Sequence, residues 1–218
     1  MIFKSYEIQK KISNFIKYNI FLLYGENYGI KKEIQETIHK KINQENSNLE
    51  TISLYESDII ENAENFYNTA YSGSLFSSTK IITINDCSDK ILSQIEDVFD
   101  KKPENLFLIL FSNILDKKSK LRSFFEKNKD TVCVPCYLDT DRDLEIVTTR
   151  VLRENKIFAS REVINLLIQK SNNDRNNLFN ELEKIKSFAI NKKNLDLDEV
   201  KKLINFSGEY KPDNLINE

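Results

Sequence analysis

The sequence predicts an α/β protein: a parallel sheet covered by helices on both faces, followed by a small all-α domain. Three observations predict it. Five short apolar runs recur before Tyr137, each strand-like in length and in β-branched or aromatic content. The stretches between them carry helical spacing, and parallel neighbours need such crossover connections. After Tyr137 the helical periodicity continues, but no further run reads as a buried strand.

The five runs are Ile20 to Tyr24, Thr51 to Tyr55, Ile81 to Ile84, Leu106 to Phe111 and Thr131 to Val134. Ile59, Ile60, Ala63, Phe66, Tyr67 and Ala70 mark a helix between the second and third; Leu121, Phe124 and Phe125 mark another after Asp116. Beyond residue 140, Thr140 or Asp141 can cap a helix carrying Leu144, Val147 and Val151, and Ser160 one carrying Val163, Leu166 and Leu167. Asp174 can cap a third, with Leu178, Leu182, Ile185 and Ala189 in its stripe. Asp196 and Glu199 start a fourth like a capping box, with Leu195 and Val200 as its staple. The expected domains are residues 1–139, residues 140–207, and a linker over 208–218 leading toward something further.

Composition narrows the function. The chain has 218 residues, 40% hydrophobic and 30% charged, and no apolar run of the length a membrane span needs. The amino terminus has no export signal, so a cytoplasmic location is expected, without a membrane partner. A net charge of −2 gives no global field for nucleic acid, so any DNA contact is local or shared. Cys133-Val-Pro-Cys136 has the spacing of a redox pair or half a zinc site. With one histidine far away and Pro135 inside the motif, buried strand-end cysteines are the plainer reading.

The first strand runs into Tyr24-Gly25-Glu26-Asn27-Tyr28-Gly29-Ile30-Lys31-Lys32, where an α/β domain of this kind carries a phosphate-binding loop. A working loop reads G-x-x-x-x-G-K-[ST]: glycines wrap the phosphates in backbone N–H groups, the lysine reaches the outer phosphates, and the hydroxyl holds Mg²⁺. Gly25 and Lys31 keep register, and Gly29 lies nearby. Ile30 stands at the second glycine and Lys32 at the hydroxyl. At the end of the third strand Asn85 replaces one of the expected acids, and Asp86 is left to cap the next helix. No catalytic constellation, cofactor or metal is expected, and the alternative is an NTPase of this class with an atypical loop.

Ser72-Gly73-Ser74-Leu75-Phe76-Ser77-Ser78-Thr79 sets two large apolar residues in a run of small polar ones. Fully burying each is worth about 1.5–3 kcal/mol, so the pair seeks either this chain's own core or a partner's pocket.

Four segments together carry a resemblance. They are Tyr24-Gly25-Glu26; Ser74-Leu75-Phe76-x-x-x-Lys80 before an aliphatic strand; Leu106 to Ser112 followed by Leu115-Asp116-Lys117-Lys118-Ser119-Lys120-Leu121; and Asn180-Glu181-Leu182-Glu183-Lys184. In order and spacing they resemble the delta subunit of the bacterial DNA polymerase III clamp loader over nearly the whole chain. The resemblance implies a RecA-like, AAA+ sheet domain and a helical lid, with a third, collar domain that these residues do not include. It implies a non-catalytic subunit that does not hydrolyse ATP but binds and opens the beta sliding clamp, with Leu75 and Phe76 entering the clamp's pocket. The implied partners are that clamp, the gamma/tau and delta prime subunits, and primer-template DNA within the complex. Lys117, Lys118, Lys120, Arg122, Lys127 and Lys129 are conceivable DNA contacts, although Asp116, Glu126 and Asp130 interrupt them and a solvated face is the favoured reading.

Overall fold

The computed structural model describes residues 2–3, 8, 11–45, 48–72, 79–103, 105–191 and 194–206. They divide into two compact units, Met1–Tyr137 and Leu138–Glu218. The 208–218 stretch read as a linker lies outside the described residues.

The elements of the first unit are, in order, α1 (Ile12–Phe15), β1 (Ile20–Tyr24), α2 (Tyr28–Glu45), β2 (Leu49–Tyr55), α3 (Glu56–Glu61), α4 (Ala63–Tyr71) and β3 (Thr79–Asn85). A 3-10 turn at Asp89–Ile91 leads to α5 (Leu92–Lys101), β4 (Leu106–Ser112), α6 (Lys120–Lys127) and β5 (Val132–Pro135). The five strands are parallel in the order β2-β3-β4-β1-β5. Each contains one of the five apolar runs, except that β5 starts one residue late and ends at Pro135.

The sheet is covered on both faces, which is why β1, β3, β4 and β5 read as nearly continuous apolar runs, while the edge strand β2 alternates. Alternate residues of β1 show the split. Ile20, Leu22 and Tyr24 join Ile82, Ile84, Leu108 and Leu110 in one core, while Phe21 and Leu23 join Ile34, Ile38, Ile81 and Ile109 in the other. The same alternation separates the cysteines: Cys133 enters the first core and Cys136 the second, and both thiols are free and buried. Side chains on opposite faces of a sheet cannot meet in a disulfide.

The helix expected across Ile59 to Ala70 is two helices. Asn62 breaks the run with φ of −146°, and its side chain accepts from Asn65 N at 2.9 Å, which caps α4.

The second unit consists of α7 (Asp141–Glu154), α8 (Arg161–Lys170), α9 (Arg175–Phe188) and α10 (Leu197–Phe206), with a 3-10 turn at Ala189–Asn191. The first three caps are those read from the sequence. Thr140 and Asp143 form a reciprocal capping box on α7, Ser160 accepts from Val163 N, and Asp174 accepts from Asn177 N at 2.7 Å. At α10, Asp196 Oδ1 accepts from Asp198 N at 3.0 Å, and Leu195 and Val200 are both buried. One core gathers Leu144, Val151, Val163, Leu167, Leu178, Leu182, Ile185 and Val200. Among the described residues no helix is long and apolar enough to cross a membrane.

Candidate functional site

In an open parallel sheet the ligand crevice lies at the carboxyl ends of the strands, where the strand order reverses. Here that place is the turn from β1 into α2, flanked by the ends of β4 and β5. The turn is sewn down by backbone hydrogen bonds. Gly25 N donates to Ser112 O at 3.2 Å and Asn113 O at 3.1 Å, Asn27 N donates to Cys136 O at 2.9 Å, and Cys136 N donates to Tyr24 O at 2.7 Å. Gly25 has φ of +127°, and a Cβ there would stand 2.3 Å from Cys136 O. Only glycine fits both conditions.

Helix α2 opens at Tyr28, three residues before Lys31, so much of what a phosphate loop would leave open is already helical. Gly29 is buried in the first turn. The Asn27 side chain fills the helix start: Oδ1 accepts from Ile30 N at 3.0 Å and Nδ2 donates to Tyr137 O at 3.2 Å. Ile30, at the second-glycine position, is 5% exposed and belongs to the core beneath the sheet. Lys32, at the hydroxyl position, faces solvent.

Lys31 is 4% exposed. Its Nζ donates to Gly25 O and to Ser112 O, both at 3.0 Å, and lies 5.9 Å from the centre of the Phe111 ring. Burial lowers its pKa from the ordinary lysine value, against the opposing pull of Cys136, Asp86 and Glu26. The amine that would reach a phosphate is engaged by backbone carbonyls on both sides of the turn.

The end of β3 is likewise turned inward. Asn85 Nδ2 donates to Ser53 Oγ and Leu54 O on β2, both at 3.0 Å. Asp86 is not the cap the sequence suggested. It takes a left-handed turn, φ of +57°, and Ser88 caps the 3-10 turn that follows. Ser88 is itself held by Glu56 Oε1, 2.6 Å from its N and 2.7 Å from its Oγ. Among the described residues no three His, Cys, Asp or Glu side chains gather as a metal site.

Leu75 and Phe76 lie outside the described residues. Their flanks do not: α4 ends at Tyr71 with Ser72 as its cap, and β3 begins at Thr79. Between these flanks Lys80 reaches back, Nζ donating to Thr69 O at 2.5 Å and Ser72 O at 3.0 Å.

The basic residues after β4 are not all free of acidic partners. Arg122 donates to Glu126 Oε1 at 2.7 Å and Leu115 O at 3.0 Å, with its guanidinium 5.0 Å from the Tyr24 ring centre. Lys117, Lys118, Lys120, Lys127 and Lys129 are exposed, interspersed with exposed Asp116 and Asp130.

Asn27 and Ser112 were not singled out from the sequence. An Asn three residues before Ile30 is a legible cap signal. Nothing local marks Ser112, whose partner Lys31 lies 81 residues away.

A parallel sheet of this order, with a glycine turn after β1, a lysine in register and a helical unit following, defines a RecA-like, AAA+-like fold, in which the turn at the phosphate-loop position is closed by its own groups. The family model for DNA polymerase III, delta subunit, matches residues 21–136, and the chain belongs to that family. A probable DNA polymerase III subunit delta from Rickettsia prowazekii (strain Madrid E) is 22% identical over 191 residues, covering 86% of this chain and 56% of the relative. The fold is similar to that of the Bacillus subtilis DNA clamp loader delta protein, with a TM-score of 0.61, 16% identity, and coverage of 91% of this chain and 62% of that one. It is also similar to the Thermotoga maritima RuvB Holliday junction branch migration motor, with a TM-score of 0.53, 14% identity, and coverage of 92% and 68%. The chain thus spans less than two thirds of the length of the two delta relatives.

Proposed function

We propose that this chain is the clamp-binding part of a DNA polymerase III clamp loader: a subunit that binds and opens the beta sliding clamp for loading onto primed DNA without hydrolysing ATP itself. Membership of the delta family supports the clamp-loader role. The observation that carries the non-catalytic half is Lys31, whose amine is bound to Gly25 O and Ser112 O where a working loop would present it to phosphate. Ile30 and Lys32 in place of the second glycine and the hydroxyl point the same way.

Leu75 and Phe76 are the proposed anchor in the clamp's pocket. A pair of adjacent large apolar residues at a helix end has the form of an anchor in helix-in-groove or pocket recognition. Opening then follows from differential binding: a partner that holds the open clamp more tightly than the closed one shifts the equilibrium toward opening. The other partners proposed are the gamma/tau and delta prime subunits, which supply ATP hydrolysis, and primer-template DNA within the assembled complex, in the cytoplasm. Residues 1–139 and 140–207 are the proposed sheet and lid domains, a division supported by the two compact units.

Calorimetry of the purified chain against the beta sliding clamp tests the reading, with Leu75→Ala/Phe76→Ala as the paired variant and MgATP as a second titrant. Binding that the double substitution abolishes, with no heat from MgATP, is the expected result. MgATP binding without clamp binding would overturn it in favour of an NTPase with an atypical loop.

A further inference from the structure

At the amino ends of the strands, opposite the turn from β1 into α2, the first unit holds a cavity of about 390 Å³. Ile20 opens β1 and Leu106 opens β4, and with Val98 and Leu108 they form an apolar floor that belongs to the core. Tyr18, just before β1, and Phe99, in the last turn of α5, are half-buried walls. The mouth carries Lys17, Lys102, Lys129 and Asp130, all exposed.

Three ammonium groups thus meet one carboxylate. Asp130 stands 3.7 Å from Lys102 with both side chains about two-thirds exposed, so solvent screens the pair and leaves it worth little. The mouth is net positive in a chain whose net charge is −2. Each lysine stands at or just after a helix C-cap, where the dipole favours a cation. The dipole does not account for the apolar cavity that these three helix ends leave open between them.

The floor calls for a large apolar group, and the rim calls for anions around it. A nucleic-acid base would need a free ring to stack on. Here Lys17 Nζ lies 5.0 Å from the centre of the Tyr18 ring and Lys102 Nζ 5.5 Å from that of Phe99, so the chain's own cations already sit over both rings. An aromatic side chain flanked by carboxylates meets both demands without stacking.

We propose that this cavity is a binding site for an acidic segment of a partner protein, which inserts one aromatic side chain onto the apolar floor and sets its carboxylates against Lys17, Lys102 and Lys129. The site lies at the other end of the strands from the phosphate-loop turn, and it stands independently of the clamp-binding reading.

The test follows the backbone amide resonances of the ¹⁵N-labelled 218-residue chain during titration with a peptide blocked at both ends, Glu-Asp-Phe-Asp-Glu. Shifts centred on Tyr18, Asn19, Phe99 and Lys102, with a Kd on the order of 10⁻⁴ M at low salt, are expected. Replacing the peptide's Phe by Ala weakens binding about tenfold, and replacing its acids by Gln and Asn about fivefold. Lys17→Ser/Lys129→Ser binds the acidic peptide about fivefold more weakly. Lys117→Ser/Lys118→Ser removes the same charge from exposed positions outside the cavity and binds as wild type does. All four lysines are exposed, so both variants fold, and their amide spectra show it. No shift at the cavity amides, an equal response to the uncharged peptide, or an equal loss in the two lysine variants overturns the proposal. Shifts there from a thymidine oligonucleotide but not from the peptide would overturn it too, and give the cavity to single-stranded nucleic acid.

Discussion

Lys31 Nζ and the carbonyl of Ser112 are joined at 3.0 Å, linking the first turn of α2 to the end of β4 across 81 residues of sequence. The same amine holds Gly25 O, so one side chain closes the turn that a phosphate would otherwise organise. Its energetic role is therefore structural. Lys31→Met leaves the Gly25 carbonyl without this donor and removes a charged bond to Ser112. It should lower unfolding free energy by about 1–3 kcal/mol, read as a shift in urea midpoint at unchanged slope.

Gly25→Ala should be more damaging than its size suggests. The position needs φ of +127°, and the added methyl meets a backbone oxygen that cannot swing away, since Cys136 is held through its own N to Tyr24 O. Strain of about 1–3 kcal/mol from the dihedral is joined by the clash, so the variant should unfold at markedly lower urea or fail to accumulate as folded protein.

In the helical unit Arg175 and Asp139 form a two-point pair, Nε to Oδ2 at 2.7 Å and Nη2 to Oδ1 at 2.5 Å, with side chains 7% and 3% exposed. Removing one member leaves a buried charge, so Asp139→Asn should cost about 3–5 kcal/mol. Arg175→Lys keeps the charge but loses the fork, and should remain destabilised rather than behave as a conservative change. Thermal melts of the two variants, compared with wild type, check the order.

Alkali should weaken the fold. Burial pushes the Cys133 thiol up from 9.0 to about 12, and the hydrogen bond to Asp97 pushes the Tyr67 hydroxyl up from 10.0 to about 12. For both groups the folded value lies above the unfolded one, so the stability they contribute is whole below pH 9 and is lost as pH rises to about 12. Lys31 runs the other way, since burial lowers its pKa and its penalty eases once the amine deprotonates. Urea unfolding at pH about 8 and about 10.5 should show the loss, with a smaller drop in Cys133→Ala.

The inner strands were legible because burial on both faces leaves an unbroken apolar run, the edge strand β2 because its apolar residues alternate, and the second unit's caps because Thr140, Ser160 and Asp174 bond amides three residues on. Asp86 misled because an acid after a strand looks like a cap wherever its backbone goes, and the turn gave that task to Ser88. The Asn62 break was hidden by apolar spacing that runs straight across it.

By itself the sequence determined the α/β class, the run of helices after Tyr137, and a phosphate loop missing its second glycine and its hydroxyl. These depend on periodicity and on which side chains are present, both of which are local. Only the tertiary structure decided what fills that loop and what Lys80 holds. The amine of Lys31 finds Ser112 because β1 and β4 are neighbours in the sheet, and Lys80 finds Thr69 and Ser72 because β3 brings it under the end of α4. A lysine's sequence context gives its charge, whereas its hydrogen-bond partners are set by which backbone carbonyls the fold brings within reach.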